Sequence, residues 1–240
     1  MGGVTMDDIF ITGSARTAIG SFQGAFSTLS APELGGHAIQ AALTQSGIDA
    51  TAIDDVIMGC VLPAGLGQAP ARQAGFHAGL SNAIPATTVN KMCGSGMKAV
   101  MLGYDQLASG DVSSVIAGGM ESMTNAPYLS GGLRGGSRLG HQTLTDHMFL
   151  DGLEDAYEEG RLMGSFAEEC AEKYQFTREQ QDEYALKSLE NALNAQASQA
   201  FEGEIEPVTV RTRKGPVAVS VDEQPANARP EKIPSLKPAF

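Results

Sequence analysis

In the stretch Ala86-Thr-Thr-Val-Asn90-Lys-Met-Cys93-Gly-Ser-Gly96, a short β-rich run leads into a cysteine that is bordered by glycines. Residues 94–108, which begin within this stretch, have the composition of a helix. A strand that passes directly into a helix is the repeating unit of sheets whose strands run parallel. The stretch therefore predicts an α/β fold and places Cys93 at the turn between the two elements.

Strand and helix patterns also alternate on both sides of this stretch. Gly47 stands where a helix over residues 31–46 would end, and Pro70 suits the first turn of a helix within residues 68–80. Alternation of this kind predicts a mainly parallel sheet that is covered by helices. The predicted strands cover residues 9–12, 55–61, 86–90 and 113–117.

The chain changes character after about Met120. The pattern there is typical of an insertion or a lid rather than of a continued sheet. The predicted segments are an exposed glycine-rich loop at 130–140 with Arg134 and Arg138, an acidic helical stretch at 151–174, a helix from the capping-box residue Thr177 to about Ala200, a hairpin of residues 205–210 and 217–221, and a loop at 225–238.

The composition limits the partners of the chain. It has 16 Lys and Arg against 28 Asp and Glu, a net charge of −12, which argues against a nucleic acid or an anionic membrane as the main partner. A phosphorylated small molecule still fits, because it needs only a local basic patch. No apolar run reaches the length of a transmembrane helix, and residues 1–8 lack the pattern of a signal peptide.

The three cysteines, at positions 60, 93 and 170, are widely spaced and include no Cys-x-x-Cys pair. They predict neither a disulfide framework nor a zinc site, so we expect a reducing compartment such as the cytoplasm. Cys60 falls on an apolar strand and Cys170 in the acidic helical stretch, and we predict both to be structural.

Cys93 is the candidate nucleophile. The start of a helix offers partial positive charge and unpaired N–H groups, which favour a thiolate and stabilise negative charge nearby. Gly94 and Gly96 let a substrate approach the backbone closely. The geometry resembles a nucleophile elbow in which sulfur replaces oxygen. The alternative is a buried structural cysteine, because free cysteines are often buried in proteins.

The four histidines do not supply an evident base for this nucleophile. His37 and His77 fall within predicted helices, and His141 and His147 belong to the arginine-bearing loop region. None stands at a spacing from Cys93 that announces a catalytic dyad. The residues therefore predict a nucleophile without identifying its base.

Five parts of the chain resemble the thiolase family, in the order in which that family has them. The stretch from Asn90 to Val100 resembles the family's acylated-cysteine motif. The other four are Ser14-Ala-Arg-Thr-Ala-Ile-Gly-Ser-Phe22, Gly118-Gly-Met-Glu-Ser-Met123, the lid segments Asp151-Gly-Leu-Glu-Asp155 and Leu162-Met-Gly164, and Leu236-Lys-Pro-Ala-Phe240.

The resemblance implies a thiolase-like layered α/β fold, of which this chain carries the amino-terminal half with an inserted α+β lid. The α/β half would cover residues 1–122, and the lid that covers coenzyme A would take 123–235. Residues 236–240 would begin a second, carboxyl-terminal α/β half that is absent from this chain. That half would be a separate chain, a cleaved fragment or a missing segment, and complete units would form dimers or tetramers.

The resemblance also implies acyl transfer in two steps. Cys93 would take an acetyl group from an acyl-CoA. A second acyl-CoA would then lose an α-proton and attack the thioester to give a 3-oxoacyl-CoA, and thiolysis is the reverse. The Cys93 N–H would be one oxyanion donor. The family's activating histidine, second cysteine and water-orienting asparagine would lie in the carboxyl-terminal half, since neither Gly-His-Pro nor Cys-x-Gly-Gly-Gly occurs here.

For coenzyme A or acetyl-CoA, which would be a substrate and not a permanently bound cofactor, the resemblance implies four contacts. They are Leu153 and Met163 from the lid, Arg213 near the nucleotide phosphates and Phe240 at the pantetheine. A solvated hairpin charge is the alternative for Arg213. Leu162 stands where many short-chain biosynthetic thiolases have a histidine, which leaves the acyl chain length open.

Two alternatives to a thiolase remain at this point. One is a related condensing enzyme of the ketoacyl-synthase type, against which the lid motifs argue. The other is a non-catalytic assembly subunit of a thiolase-like complex. Acylation of Cys93 by acetyl-CoA separates the catalytic role from the assembly role.

Overall fold

The computed structural model of the chain describes residues 8–240. The signal-peptide prediction rests on residues 1–8, of which 1–7 lie outside the described residues. The first regular element is helix α1 (Ala31–Ser46), which begins with a capping box between Ser30 and Glu33. It ends at Gly47, whose φ of 66° closes the helix in the left-handed conformation. The predicted bounds of this helix are confirmed.

Three parallel strands form the central sheet, in the order β2–β1–β3. They are β1 (Asp55–Gly59), β2 (Ala86–Val89) and β3 (Val115–Gly119). In the register of the sheet, Ile57 lies beside Thr87 on one neighbour and beside Ala117 on the other. The prediction of a parallel α/β fold is confirmed at three of its four strands.

Helices cover both faces of the sheet, and β1 is therefore buried along its whole length. Val56 and Met58 pack into the main core with α1 and α2 (Pro70–His77). Ile57 points to the opposite face, where it lies beside α3 (Ser95–Ser109). The alternation follows from the period of two along a strand.

The predicted strand at residues 9–12 is absent, and that prediction was wrong. Phe10 and Ile11 are 76% and 83% exposed. A β-rich segment becomes a strand only where a neighbouring strand takes up its backbone hydrogen bonds. No described strand lies alongside these residues.

The region after β3 contains two small antiparallel sheets and further helices, and neither small sheet joins the central one. This separation fits the prediction of an insertion. Short 3₁₀ turns at Leu133–Gly135 and Pro230–Ser235 lie within the segments predicted as loops. The elements are β4 (Tyr128–Leu129), β5 (Thr145–Asp146), α4 (Met163–Tyr174), α5 (Arg178–Ala197), β6 (Val208–Thr212), β7 (Gly215–Val219) and α6 (Glu223–Asn227).

The acidic stretch at residues 151–174 is not one helix, contrary to the prediction. A π-helical turn at Phe149–Leu153 comes first, and α4 begins only at Met163. Between them, Asp155 Oδ1 accepts two backbone N–H bonds, and Gly160 has a φ of 81°. These local bonds and the left-handed glycine favour a turn over a continued helix.

The hairpin of β6 and β7 packs against the amino-terminal segment of the chain. Val208 and Val210 form a second core with Ala18. Next to this core, the Arg16 guanidinium donates to both carboxylate oxygens of Asp222, at 2.8 and 3.0 Å. In the part of the chain that is described, no helix is both long enough and apolar enough to span a membrane.

Candidate functional site

Cys93 lies where the edge strand β2 passes into α3, as the sequence predicts. The strand ends at Val89 and the helix begins at Ser95. The thiol is free and exposed, so the alternative of a buried structural cysteine is wrong. The carboxyl edge of a parallel sheet is where α/β folds bind their ligands, and the Cys93 thiol is open to a substrate there.

The turn that carries Cys93 has a strained backbone. Met92 has a φ of 50°, a left-handed conformation that residues with a side chain rarely adopt. Asn90 Oδ1 accepts the Met92 N–H at 2.9 Å. Ser95 Oγ accepts the Lys91 N–H at 2.8 Å and donates to the Met92 carbonyl at 2.5 Å. Strain of this kind persists only where surrounding contacts hold it, and it concentrates at functional sites.

Glycines let the first turn of α3 lie directly against the sheet. A Cβ atom at Gly59 would come within 2.6 Å of the Ser95 Cβ and 2.7 Å of the Gly96 nitrogen. A Cβ atom at Gly119 would stand 3.2 Å from the Gly96 Cα. Side chains at these positions would push the helix away from the strand ends. The glycines therefore fix where the Cys93 turn stands.

The start of α3 supports negative charge. Gly94 is the residue before the helix and offers no side-chain cap, so the first helical N–H groups lack a side-chain acceptor. Among the described residues, the Cys93 N–H meets no acceptor in good hydrogen-bond geometry. These groups and the helix dipole can stabilise negative charge that develops on a bound oxygen atom nearby. The arrangement can act as a nucleophile with an adjacent oxyanion donor.

Cys60 is buried, as predicted, and its surroundings have the opposite effect. The Glu121 carboxylate accepts the N–H groups of Val61 and Leu62 at 2.8 and 3.0 Å and lies 3.6 Å from the Cys60 Sγ. Burial, and after it the neighbouring negative charge, raise the pKa of the Cys60 thiol to about 12. Cys60 is therefore protonated and unreactive near neutral pH.

Cys170 is exposed on α4 and is not packed into a core, and its structural role stays a prediction. This helix has no buried residue in the described chain, because its acidic sequence leaves it in contact with solvent. Cys170 stands within the helix and not at its amino terminus. It therefore lacks the N–H groups that support negative charge at Cys93.

A buried histidine escaped the sequence analysis, which assigned His147 to the arginine-bearing loop region. His147 is 4% exposed. Its Nδ1 lies 2.6 Å from Asp151 Oδ2, and its Nε2 accepts the Ala64 N–H at 3.3 Å. Both ring nitrogens therefore have partners, and His147 ties the loop after β1 to the turn at Phe149–Leu153. The only sequence signal was the spacing of four residues to Asp151, which is that of one helical turn.

Three of the four residues expected to contact coenzyme A lie close together. The residue after Leu153 pairs with the residue before Met163 in an antiparallel bridge. The Phe240 ring lies against Gly164, where an added Cβ would overlap the ring. The structure thus brings Leu153, Met163 and Phe240 close together.

Arg213 belongs to a different element. It lies with Lys214 in the two-residue turn between β6 and β7, and both are exposed. Within residues 8–240, Arg213 forms no ion pair. No cluster of three or more His, Cys, Asp or Glu residues that could hold a metal ion occurs in the same range.

The sequence of the chain is similar to those of known proteins. Residues 9–240 match the family model described as "Thiolase, N-terminal domain". The chain is 48% identical over 237 residues to an acetyl-CoA acetyltransferase of Pseudomonas aeruginosa, and 49% over 233 residues to one of Rhizobium meliloti. It is 47% identical over 235 residues to acetyl-CoA acetyltransferase 2 of Arabidopsis thaliana.

The three alignments cover the chain almost completely but only part of each relative. They take in 98%, 97% and 97% of this chain, against 60%, 59% and 58% of the relatives. The chain therefore spans about 60% of the length of the curated relatives that it matches.

Proposed function

The chain belongs to the thiolase family, and from this premise we propose that Cys93 is its acyl-carrying nucleophile. The proposed activity is acyl transfer between acyl-CoA thioesters, in the direction of 3-oxoacyl-CoA synthesis or of thiolysis. One observation carries the proposal. The exposed Cys93 thiol stands at the amino terminus of α3 beside its own N–H, which meets no acceptor among the described residues.

In the first step, the Cys93 thiolate attacks the thioester carbonyl of an acyl-CoA. The carbonyl oxygen becomes an oxyanion that the Cys93 N–H stabilises. Collapse of this intermediate breaks the bond to coenzyme A, whose thiolate leaves and takes the proton that a base removed from the Cys93 thiol. The acyl group is then held on sulfur, and one difficult transfer has become two easier ones.

In the second step, another acyl-CoA loses an α-proton to a base and attacks the Cys93 thioester carbon. A carbon–carbon bond forms, and the Cys93 thiolate is released. His147 is not that base, because both its ring nitrogens have partners. Cys60 is excluded by a pKa raised to about 12. We assign the base to a carboxyl-terminal half.

Coenzyme A would lie along the lid. Leu153, Met163 and Phe240 offer apolar surface to the pantetheine, and their proximity supports this assignment. Arg213 would meet the nucleotide phosphates, for which an exposed cation without an ion pair in the described chain is suited. The lid would comprise residues 123–235, and the α/β half residues 1–122.

The exposed face of α3 supports the need for a second half. Met97, Val100, Met101 and Tyr104 are 73%, 47%, 51% and 47% exposed. Their spacing is that of one side of a helix, and a contiguous apolar face of this kind marks a packing surface. We place the carboxyl-terminal half on this face, with residues 236–240 leading towards it, and complete units in a dimer or tetramer.

Thiolysis of acetoacetyl-CoA tests the proposed activity. In the assembled protein, Cys93→Ser is expected to lower turnover by a factor on the order of 10⁴ or more, because a hydroxyl is a far weaker nucleophile near neutral pH. The matched control is Cys170→Ser, which changes an exposed cysteine outside the site and should leave turnover unaltered. A Cys93→Ser protein that keeps most of its turnover would exclude the proposal. A wild-type assembly that never acylates Cys93 would instead favour a non-catalytic assembly subunit.

A further inference from the structure

We propose that Ser95 is a positioning residue for the oxyanion donor, because its hydroxyl fixes the peptide plane between Met92 and Cys93. The inference rests on the proposed function, in which the Cys93 N–H donates to the carbonyl oxygen of the reacting thioester. Ser95 acts through the Met92 carbonyl and does not touch the substrate. The orientation of the peptide between Met92 and Cys93 sets the direction of the Cys93 N–H.

The Met92 carbonyl receives two hydrogen bonds from the same residue. The Ser95 hydroxyl donates to it at 2.5 Å and the Ser95 N–H at 3.0 Å. The hydroxyl has a single proton, which is used in this bond, and its oxygen accepts the Lys91 N–H at 2.8 Å. Ser95 is 4% exposed, so water cannot readily replace the hydroxyl if it is removed.

A trans peptide holds its C=O and N–H groups in one plane and in opposite directions. Two donors on the Met92 oxygen therefore also fix the direction of the Cys93 N–H. The N–H groups of Lys91, Met92, Gly94 and Ser95 all donate within the turn. The Cys93 N–H, in the middle of this turn, has no acceptor among the described residues and points away from the bonds that hold the turn. The two bonds on the carbonyl also polarise this N–H.

The Ser95 hydroxyl holds Met92 in a strained backbone conformation. A φ of 50° is disfavoured for a residue with a Cβ. The peptide is therefore expected to rotate away from its present orientation when the bond from the Ser95 hydroxyl is lost and only the Ser95 N–H still holds the Met92 carbonyl. Asn90 holds only the peptide before Met92, because its Oδ1 accepts the Met92 N–H. The Asn90 Nδ2 in turn donates to the Val61 carbonyl at 3.4 Å.

Two reactions of the Cys93 thiol distinguish the orientation of the Cys93 N–H from the reactivity of the Cys93 sulfur. Iodoacetamide alkylates Cys93 by displacement and forms no oxyanion. p-Nitrophenyl acetate acylates it through a tetrahedral oxyanion and needs no coenzyme A site. The test is the ratio of the acylation rate to the alkylation rate at Cys93 in the assembled protein. Nitrophenolate release measures the acylation, and peptide mapping locates both modifications.

Ser95→Ala is expected to lower this ratio about tenfold or more, a part of the roughly 10²–10³-fold effect of losing an oxyanion donor outright. The matched control is Ser109→Ala in the same helix. It removes an exposed hydroxyl that bonds only to the Gln106 carbonyl, at 2.8 Å, and should leave both rates unchanged. A Ser95→Ala ratio within about twofold of wild type, or a parallel fall of both rates, would overturn the proposal.

Labelling of the buried Cys60 would reveal whether Ser95→Ala unfolds the protein. In that case, a second pair of variants tests the role of Ser95. Glycine adopts a left-handed φ without strain, but it also leaves the adjoining peptide free to rotate unless the Ser95 hydroxyl holds it. Met92→Gly is therefore compared with Met92→Gly carrying Ser95→Ala. A lower ratio in the double variant supports the proposal, and equal ratios overturn it. Wild-type Cys93 that reacts with the ester but not with acetyl-CoA would reject the coenzyme A activity, while the ratio would still decide the role of Ser95.

Discussion

Cys93 and Cys60 carry the same thiol in opposite settings. The Cys93 thiol is exposed beside the uncapped start of a helix, whereas the Cys60 thiol is buried next to the Glu121 carboxylate. The pKa of Cys60 is raised to about 12, so its reactive thiolate forms only as the pH approaches that value. The fold thus exposes the thiol that follows β2 and buries the thiol that follows β1.

At Arg213, the proposed contact is with the phosphates of coenzyme A. We expect Arg213→Ala to raise the Michaelis constant for acyl-CoA about fivefold with little loss of turnover, because a phosphate contact worth on the order of 1 kcal/mol binds the ground state and the transition state alike. Steady-state kinetics with acetyl-CoA measure the effect. A short pantetheine thioester, which lacks the nucleotide, is the control. An equal rise for both thioesters would argue against a phosphate contact.

Between elements, the ion pair of Arg16 and Asp222 joins the amino-terminal segment to the chain after β7. Burial by itself would raise the pKa of the Asp222 carboxyl, but hydrogen bonds from Arg16 and from the Ile19 N–H outweigh it and leave the pKa lowered. A carboxylate with a lowered pKa contributes stability above its unfolded pKa of about 3.9. That contribution is lost as the pH falls through the folded value.

Asp222→Asn is therefore expected to lower the free energy of unfolding by about 2 kcal/mol near neutral pH, since hydrogen bonds to charged groups contribute about that much. The measurement is urea unfolding of the assembled protein at several pH values. The matched control is Glu190→Gln, which breaks the exposed pair with Lys187 and should cost less than about 0.5 kcal/mol. A loss that does not shrink below about pH 4 would contradict the assignment.

Elements with local signals were predictable, and those that depend on distant partners were not. Gly47 for the helix at residues 31–46 and the capping box at Thr177 for the helix that follows it are local signals, and both helices are confirmed. The strand expected at residues 9–12 needed a neighbour that its own sequence does not reveal. The break before Met163 came from a turn whose polar side chains outweighed an acidic helical composition.

In the candidate site too, features that depend on adjacent residues were predictable and features that depend on distant contacts were not. The position of Cys93 followed from a strand, a glycine and a helix that are adjacent in sequence. The bond from Ser95 to the Met92 carbonyl depends on a backbone conformation that the sequence did not indicate. Glu121 reaches the Cys60 loop only because β1 and β3 pair across 60 residues of chain. Side-chain contacts of that range have no signature in a single sequence.

At the scale of the whole molecule, the apolar face of α3 predicts the behaviour of the chain expressed alone. Met97, Val100, Met101 and Tyr104 would face water, and obligate interfaces that cover such faces exceed about 2,000 Å². We expect self-association and no thiolysis. Size-exclusion chromatography and an acetoacetyl-CoA assay check both.

Met101→Lys should reduce this self-association, because it places a charge within the apolar face. Tyr157→Lys is the control, since Tyr157 is 95% exposed and lies outside that face. Co-expression with a carboxyl-terminal half should restore activity to the wild-type chain. A monodisperse monomer that turns over acetoacetyl-CoA unaided would refute the need for a second half.

The most direct test of the central claim is to find the acyl group on the protein. The assembled protein is mixed with acetyl-CoA, quenched in acid and mapped by peptide mass spectrometry, with Cys93→Ser as the control. We predict one acetyl group, on the peptide that contains Cys93, which added coenzyme A removes and which the control lacks. An acetyl group on Cys60 or Cys170, or an active protein whose Cys93 never carries one, would contradict the account.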